Sequence, residues 1–271
     1  MGKEDVGAEE SRAWGDPRDH GRGYPPVSGV LPLALEDATR ALKPLIESDK
    51  EYVCYMKLHG DAPRDEILSV LKSFEGQIYQ RPPVKSSVRR IRRIRRIHRI
   101  DVLETEDRDV LFRARVDPGT YMRKLCVDVG YALGVEAHME DLRRTKSGNF
   151  FEEDSCDLYD LYDAVEEMKR GEDGPIRKLV KPLEEALSVL RSVTVSDAAV
   201  PRICRGTQPR GGDLISADAT IQPKELVVIQ TKRGEAVALA KANVTAPEMP
   251  TSGFPLKLER VIMSPGTYPE S

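Results

Sequence analysis

The sequence predicts an α+β fold followed by a small β-rich domain. Three observations support this class. Apolar residues recur at helical spacing in three segments before residue 150, and runs rich in aromatic and β-branched residues lie between those segments. Beyond residue 193 the chain changes to short strand-like runs that Gly and Pro interrupt. With 271 residues, 39% of them hydrophobic, the chain is long enough to bury a substantial core.

The first 24 residues differ in composition from the rest of the chain. They contain no Leu, Ile or Phe, but five Gly and ten charged residues. Such a segment cannot bury enough apolar surface to offset the loss of chain entropy, so we expect a disordered or non-homologous leader over 1–24. The sequence shows neither a secretory signal nor the run of about 18 apolar residues that a membrane helix needs, which predicts a cytoplasmic protein.

The first predicted elements follow a stretch of turn-forming residues at 25–32. Residues 34–42 carry apolar side chains at helical spacing. A strand is predicted over 50–58, because this run is aromatic and apolar. Residues 64–74 follow the i, i+4, i+7 spacing of a helix.

Two further strands are predicted around 97–102 and 110–116. The helix that follows keeps its apolar spacing from Met122 to Leu133, and Gly134 suits its C-cap. Together these elements give the α+β pattern of the first part of the chain.

The remaining elements complete the prediction. Residues 157–190 have the pattern of helices, with a Gly-rich break at 171–174. The β-rich tail has strand-like runs at 226–230, 236–241 and 256–263.

The four cysteines, Cys54, Cys126, Cys156 and Cys204, are dispersed along the chain. They form no Cys-x-x-Cys pair and have no His cluster nearby, which argues against a zinc site or a disulfide framework. We expect them to act as small hydrophobic residues, and we assign no metal site.

Basic residues are concentrated between residues 76 and 100. This segment contains nine of the 42 Lys and Arg and none of the 45 Asp and Glu, in a chain of net charge −3. Such asymmetry is typical of a site for a polyanion, so we predict a nucleic-acid partner. The alternative is an exposed hairpin whose charges are merely solvated. The candidate RNA contacts here are Lys85, Arg89, Arg90, Arg92, Arg93, Arg95 and Arg96.

Within this segment the triplet Arg-Arg-Ile repeats from Arg89. A period of three fits neither a helix nor a strand well. A strand would place Arg on both faces, which suits an edge ribbon along a phosphate backbone.

Several motifs stand in a specific order along the chain. They are Val27-Ser28-Gly29-Val30-Leu31-Pro32, Lys50-Glu51-Tyr52-Val53, Leu58-His59-Gly60-Asp61, Gln80-Arg81-Pro82-Pro83, Gly119-Thr120-Tyr121-Met122-Arg123, and Leu142-Arg143-Arg144-Thr145-Lys146-Ser147-Gly148. Together with the β-rich tail they resemble the TruB/dyskerin pseudouridine synthases, in particular archaeal members with a C-terminal PUA domain. The resemblance covers residues 27–268.

The resemblance implies a pseudouridine synthase core over 25–190, a mixed or antiparallel sheet with flanking helices, and an RNA-binding PUA pseudo-barrel over 191–271. It implies an enzyme that flips a uridine out of its stack, cleaves the N-glycosidic bond, rotates the base and rejoins it through carbon, with no metal or organic cofactor. The implied substrates are uridine-55 in the T loop of tRNA, rRNA uridines selected by H/ACA guide RNAs, or both. Small ribonucleoprotein proteins are the implied partners.

The resemblance also assigns the catalytic residues Tyr52, Tyr121, Arg123 and Leu142. Tyr52 matches the tyrosine that stacks on the flipped base, although a strand tyrosine is more often a core residue. Tyr121 and Arg123 would share one face of an extended segment, the tyrosine near the base and the arginine paired with the catalytic aspartate. Leu142 matches a wall of the uracil pocket, which is also core packing.

Two basic residues follow Leu142 in the same motif. Arg143 and Arg144 match basic neighbours that we expect to contact phosphate or structural carboxylates. Taken alone, Arg123 would be assigned as a surface cation at a helix start.

The sequence departs from the family at the nucleophile. The family places an aspartate in a Gly-Thr-Leu-Asp-Pro loop, four residues before the serine of Val-Ser-Gly, and that position here is Tyr24. Asp16 and Asp19 are weak alternatives, because neither follows the expected loop.

Two explanations for this departure are open. Residues 1–24 could come from a wrong start or a reading-frame error, or the chain could be a catalytically inactive RNA-binding scaffold. We favour the first, because an Arg123 enclosed without a carboxylate would be strongly destabilising. A PUA protein unrelated to uridine chemistry would require the motifs around Tyr52, Tyr121 and Leu142 to be coincidental.

Overall fold

The computed structural model describes residues 27–82, 89 and 91–269. The described residues divide into two compact units: 27–33 and the described residues of 47–155 form the first, and 34–46 together with 156–269 form the second. The predicted leader over 1–24 lies outside the described residues. Within the described part, no helix combines the length and the apolar composition needed to cross a bilayer.

The strands and α-helices agree in part with the sequence pattern, which did not predict the strands over 27–29, 76–80 and 137–147. In chain order they are β1 (Val27–Gly29), α1 (Leu42–Ile46), β2 (Lys50–Leu58), α2 (Arg64–Ser73), β3 (Gly76–Gln80), β4 (Arg93–Glu106), β5 (Asp109–Val116), α3 (Met122–Ala132), β6 (Ala137–Ser147), β7 (Phe150–Phe151), α4 (Leu158–Lys169), α5 (Gly174–Leu179), α6 (Leu183–Leu187), β8 (Arg191–Val195), α7 (Val200–Cys204), β9 (Leu214–Ala217), β10 (Leu226–Gln230), β11 (Ala236–Ala242) and β12 (Leu256–Val261). Short 3-10 helices lie at Glu36–Ala41, Glu152–Asp154, Asp197–Ala199, Gly211–Asp213 and Ala246–Thr251.

The first unit is built on a mixed sheet with flanking helices, as predicted. Its strands follow the order β1-β6-β2-β5-β4-β3, and β7 pairs with β6. β1 runs parallel to β6, and the other pairs are antiparallel. Buried residues of α2 and α3 form one core with the central strands. This core contains Met56 and Phe112, which are fully buried and each contribute about 1.5–3 kcal/mol.

A β-bulge in β4 explains the period of three in the arginine-rich segment. Ile97 and Ile100 are both buried although they lie three residues apart. The register between β4 and β5 shifts between Ile97 and Arg99, so one extra residue is accommodated there. That residue reverses the alternation of the strand, which lets both isoleucines face the core while Ile94 is 51% exposed.

The second unit contains the β-rich tail. Its sheet has the order β12-β11-β10-β8-β9, with β10 parallel to β8 and the other pairs antiparallel. A smaller buried cluster brings Ala41 and Leu187 onto residues of β10 and β11. Residues 156–190, which the sequence assigns to the first domain, therefore cluster with the β-rich unit.

The helix predicted over 34–42 differs in detail. The chain forms a 3-10 helix over Glu36–Ala41 before α1. Glu36 has a positive φ of 48°, and the N–H of Ala38 donates to the carbonyl of Leu35, three residues back. This tighter hydrogen bonding is typical of a 3-10 turn at a helix start.

Candidate active site

Tyr52 and Leu142 lie on adjacent strands of the first sheet and on the same face. Leu142 of β6 is opposite Cys54 of β2, and side chains directly opposite one another share a face. Tyr52 is two residues from Cys54, so its side chain also points to this face. Tyr52 is half-buried against the core, and Leu142 is 6% exposed.

A bulge in β6 places Leu142 on this face. The register with β2 shifts where Tyr55 pairs with Asp141 and Met56 pairs with Met139, leaving one extra residue in β6. Because of it, Met139 and Leu142 are both buried although they lie three positions apart in the strand. β1 lies on the other side of β6, with Val27 paired to Leu142.

The helix α3 packs against the same face and begins at the predicted site. Tyr121 is its N-cap residue, in extended conformation, and Arg123 is its second residue. Both are half-buried. The expectation that Tyr121 and Arg123 lie in an extended segment is wrong, because the backbone becomes helical from Met122 onward.

The glycine Gly130 lets α3 approach β6 closely. A Cβ added at this position would lie 2.2 Å from the backbone nitrogen of Ala137, the first residue of β6. No larger side chain fits without moving the helix away from the sheet. Gly130 therefore sets the distance between α3 and the strand that carries Leu142.

Gln80 fixes the backbone of Tyr121. This last residue of β3 is 2% exposed. Its Nε2 donates to the carbonyl oxygen of Tyr121 at 3.1 Å, and the N–H of Tyr121 donates to its Oε1 at 2.8 Å. The side-chain amide thus pairs with both polar groups of the residue at which α3 begins. Sequence reasoning missed Gln80, although its place in the Gln-Arg-Pro-Pro motif was a signal.

The basic segment forms a two-stranded ribbon at the edge of the sheet. Residues 93–96 of β4 pair only with β3, which is the edge strand. We call residues 76–80 and 91–97 the arginine ribbon. Its arginines are Arg92, Arg93, Arg95 and Arg96, the first and last exposed and the other two half-buried. Among the described residues, none of these four makes an ion pair with a carboxylate.

The arginine ribbon contacts the segment that leads to Tyr121. Asp117 Oδ2 accepts the N–H of Arg96, and the N–H of Asp117 donates to the carbonyl of Arg96. The guanidinium of Arg95 lies over Gly119, 3.3 Å from where a Cβ would be. Arg92 lies 5.9 Å from the ring centre of Tyr79, a cation–π distance. The ribbon is therefore held against the start of α3.

Arg143 and Arg144 have different surroundings. Arg143 is exposed, and its Nε donates to Glu152 at 2.6 Å. Arg144 is 6% exposed, and its Nε donates to the carbonyl of Val30 at 2.7 Å. Arg144 therefore holds the chain after β1 against β6, and a buried guanidinium of this kind is not presented to a phosphate.

Other predicted residues lie outside the described part. Lys85 and Arg90 belong to this group, as do Asp16, Asp19 and Tyr24. Arg89 is described and exposed.

Asp49, His98 and Asp117 are the residues of the described part with convergent metal-ligating atoms. One atom from each lies within 4.8 Å of the others. His98 Nε2 lies 2.9 Å from Asp117 Oδ1 and 3.4 Å from Asp49 Oδ1. Arg115 donates to the remaining oxygen of Asp49 at 2.7 Å. These internal ion pairs account for the cluster, which ties the segment before Tyr121 to β4.

Known protein families match nearly all of the folded chain. The N-terminal domain of TruB family pseudouridylate synthases matches residues 21–122, and the C-terminal domain of tRNA pseudouridylate synthase B matches residues 123–188. The PUA domain matches residues 191–261.

Similar proteins are known from archaea. A probable tRNA pseudouridine synthase B of Methanopyrus kandleri is 47% identical over 250 residues, which cover 91% of this chain and 74% of the relative. One of Methanocaldococcus jannaschii is 45% identical over 248 residues, which cover 90% of this chain and 74% of the relative. This chain belongs to the TruB family of pseudouridylate synthases.

Solved structures of this TruB family fold superpose closely on the chain. A chain in the crystal structure of a Cbf5-Nop10-Gar1 complex has a TM-score of 0.87 and 45% identity, covering 90% of this chain and 76% of its own length. A chain in an H/ACA RNP bound to a substrate RNA containing 2'-deoxyuridine has a TM-score of 0.84 and 44% identity, covering 90% and 75%. The predicted fold class is confirmed.

The TruB family match covers the position at which this chain departs from the family's nucleophile. It begins at residue 21, so it includes Tyr24 and excludes Asp16 and Asp19. The first carboxylate after residue 21 is that of Glu36. Arg123 is half-buried rather than enclosed, so the energetic cost of a fully buried cation does not decide between the two explanations.

Proposed function

We propose that this chain is an RNA pseudouridine synthase that isomerises uridine to pseudouridine in tRNA, in rRNA through H/ACA guide RNAs, or in both. Membership of the TruB family and relatives named as probable tRNA pseudouridine synthases support the chemistry. The similar chain in an H/ACA RNP bound to substrate RNA supports guided substrates. The observation that carries the proposal is the arginine ribbon, whose four cations lack carboxylate partners in the described part and adjoin the segment ending at Tyr121.

The catalytic assignment rests on the face that β2, β6 and α3 share. A flipped uracil needs an aromatic surface to stack on and an apolar wall, for which we propose Tyr52 and Leu142. Tyr121 would lie near the base as a proton-transfer group. Arg123 would pair with the catalytic carboxylate and keep it ionised. The reaction as proposed needs no metal or organic cofactor.

RNA affinity would come from the basic residues and the PUA domain. We assign phosphate contacts to Lys85, Arg89, Arg90, the arginine ribbon and Arg143. Arg144 is left out, because it is buried on the carbonyl of Val30. The PUA domain, proposed over 191–271 after a synthase core over 25–190, would bind RNA by shape and single-strand contacts. Small ribonucleoprotein proteins are proposed partners, and the cytoplasm is the proposed compartment.

One observation favours a second function, an inactive RNA-binding scaffold of the same family. No carboxylate occurs between residue 21 and Glu36, where the family has its nucleophile. Residues Gly21 to Pro25 occupy the position of the Gly-Thr-Leu-Asp-Pro loop and differ from it at three positions. A chain with these residues could keep RNA affinity and lose the isomerisation.

The experiment that separates the two functions measures tritium release from uridine C5 by the 271-residue chain. A tRNA transcript is one substrate, and a guide RNA complex with an rRNA fragment is the other. RNA affinity is measured in parallel. Release supports the synthase and makes Asp16 and Asp19 the next residues to replace. Absence of both release and RNA binding would refute both functions.

A restored loop gives the matched variant. Arg22→Thr, Gly23→Leu and Tyr24→Asp together rebuild the family loop without changing the length of the chain. If the unaltered chain binds RNA without release and this variant releases tritium, the given sequence lacks only its nucleophile, as both the scaffold and the reading-frame explanation require. The control is the double variant Arg22→Thr with Gly23→Leu, which lacks the carboxylate.

A further inference from the structure

Cys54 and Cys126 are in contact in the core of the first unit. Their Sγ atoms are 3.5 Å apart, and both residues are 0% exposed. They lie 72 residues apart in the chain. The other cysteines lie in the second unit, where Cys156 is exposed and Cys204 is buried.

The pair connects two elements of the candidate active site. Cys54 lies on β2, two residues after Tyr52 and on the same face. Cys126 lies on α3, three residues after Arg123, so it faces nearly the same side of the helix. A covalent bond between the two sulfurs would fix β2 to α3.

We infer that Cys54 and Cys126 form an oxidative modification site, at which a peroxide converts the two thiols into a reversible disulfide that links β2 to α3. The sulfurs are already at van der Waals contact. An S–S bond of about 2.05 Å requires them to approach by about 1.5 Å.

Hydrogen peroxide is the two-electron oxidant that balances this reaction. One thiol, as its thiolate, attacks a peroxide oxygen and becomes a sulfenic acid, and the first water leaves. The second sulfur then displaces the sulfenic oxygen, which leaves as a second water. Two electrons pass from the sulfur pair to the peroxide, and both thiol protons end in water.

Burial determines how fast this site reacts. The hydrogen bond with the Cys126 thiol, and then burial, hold the pKa of Cys54 well above its ordinary value. The thiolate is therefore scarce, and an enclosed thiol reacts slowly. Oxidation should accompany local opening of α3 and accelerate as the temperature approaches Tm.

The test exposes a Cys156→Ser variant to hydrogen peroxide at several temperatures below its Tm. This variant avoids disulfides between molecules, because Cys156 is the exposed cysteine. After unfolding, the remaining free thiols are alkylated and the chain is mapped by mass spectrometry. Before alkylation, we expect the treated chain to be lighter than the untreated chain by two hydrogen atoms. The map should contain a cross-linked peptide with Cys54 and Cys126, and an alkylated Cys204. Tm should rise by about 5–10 °C and return with dithiothreitol.

A second variant keeps the proposal falsifiable. Adding Cys126→Ser removes one sulfur, so the cross-linked peptide and the rise in Tm should both disappear. The proposal is overturned if Cys54 and Cys126 remain alkylatable after peroxide, or if each is separately oxidised to a sulfinic acid. None of these measurements depends on pseudouridine synthesis.

Discussion

Replacing Gln80 tests whether the start of α3 is positioned by β3. Gln80→Met keeps a similar side-chain length and removes both polar groups. The two hydrogen bonds with the backbone of Tyr121 then disappear. The Tyr121 carbonyl keeps the N–H of Leu125 as a donor at 3.1 Å, but the Tyr121 N–H loses the Gln80 acceptor.

The expected loss of stability follows from this difference between the carbonyl and the N–H of Tyr121. A buried donor that loses its acceptor costs about 1–3 kcal/mol, and the second hydrogen bond contributes about 0.5–1.5 kcal/mol. We expect the free energy of unfolding to fall by about 2 kcal/mol, which corresponds to a lower Tm by about 4–8 °C. A local opening of the same energy accelerates amide exchange at Tyr121 roughly thirtyfold.

Two measurements and one control check this prediction. Urea denaturation gives the change in the free energy of unfolding, and hydrogen exchange gives the protection of the Tyr121 amide. Gln77→Met on the exposed side of β3 is the matched control and should change neither. In a form of the chain that isomerises uridine, Gln80→Met should lower kcat and leave RNA affinity within a few-fold. Unchanged exchange at Tyr121 in Gln80→Met would refute the positioning role.

Three other predictions concern the ribbon, the stacking residue and the surface charges. Replacing the four arginines of the ribbon with Gln should weaken RNA binding and lower the slope of log K against log salt by about 1 for each phosphate that is no longer neutralised. The surface control Arg177→Gln should change neither the affinity nor the slope. An unchanged slope in the ribbon variant would contradict the role assigned to the ribbon. Tyr52→Ala, made in whichever form releases tritium, should abolish release and leave RNA affinity within a few-fold, and retained turnover would exclude stacking on Tyr52. Hydrogen bonds from Lys57 and then Tyr55 hold the pKa of Asp109 below its ordinary 3.8. The contribution of Asp109 to the free energy of unfolding is therefore complete above pH 3.8 and is lost as the pH falls below the lowered pKa. Tm should therefore drop less steeply in acid for Asp109→Asn than for the unaltered chain, and parallel curves would contradict this.

Helices α2 and α3 and strand β2 were predictable because they depend on local periodicity, whereas strand β6 was not predicted. Strand β2 and helices α2 and α3 lie within one residue of the predicted bounds. The bulges in β4 and β6 were not predictable, since each depends on a partner strand distant in the chain. Without the bulge beside Ile97, the repeated Arg-Arg-Ile triplet has no consistent strand interpretation.

The motifs name residues for a candidate site, but they do not give its geometry. The motifs pointed to Tyr52, Tyr121 and Leu142, but not to the change from extended to helical backbone between Tyr121 and Arg123. Arg144 is basic like its neighbours, and only the tertiary structure places it on the carbonyl of Val30. The contact of Cys54 with Cys126 joins residues far apart in the sequence, so spacing alone gave no sign of it.

The bulge in β4 also divides this strand into two parts that can vary independently. Before it, the strand exposes Ile94 and Arg96 and buries Ile97; after it, the strand contributes Ile100 to the core. A one-residue deletion at His98 would remove the bulge and restore simple alternation. Ile97 and Ile100 would then be two residues apart and would both still face the core. The cost of this deletion should therefore come from the lost contacts of His98 with Asp49 and Asp117, and not from the core.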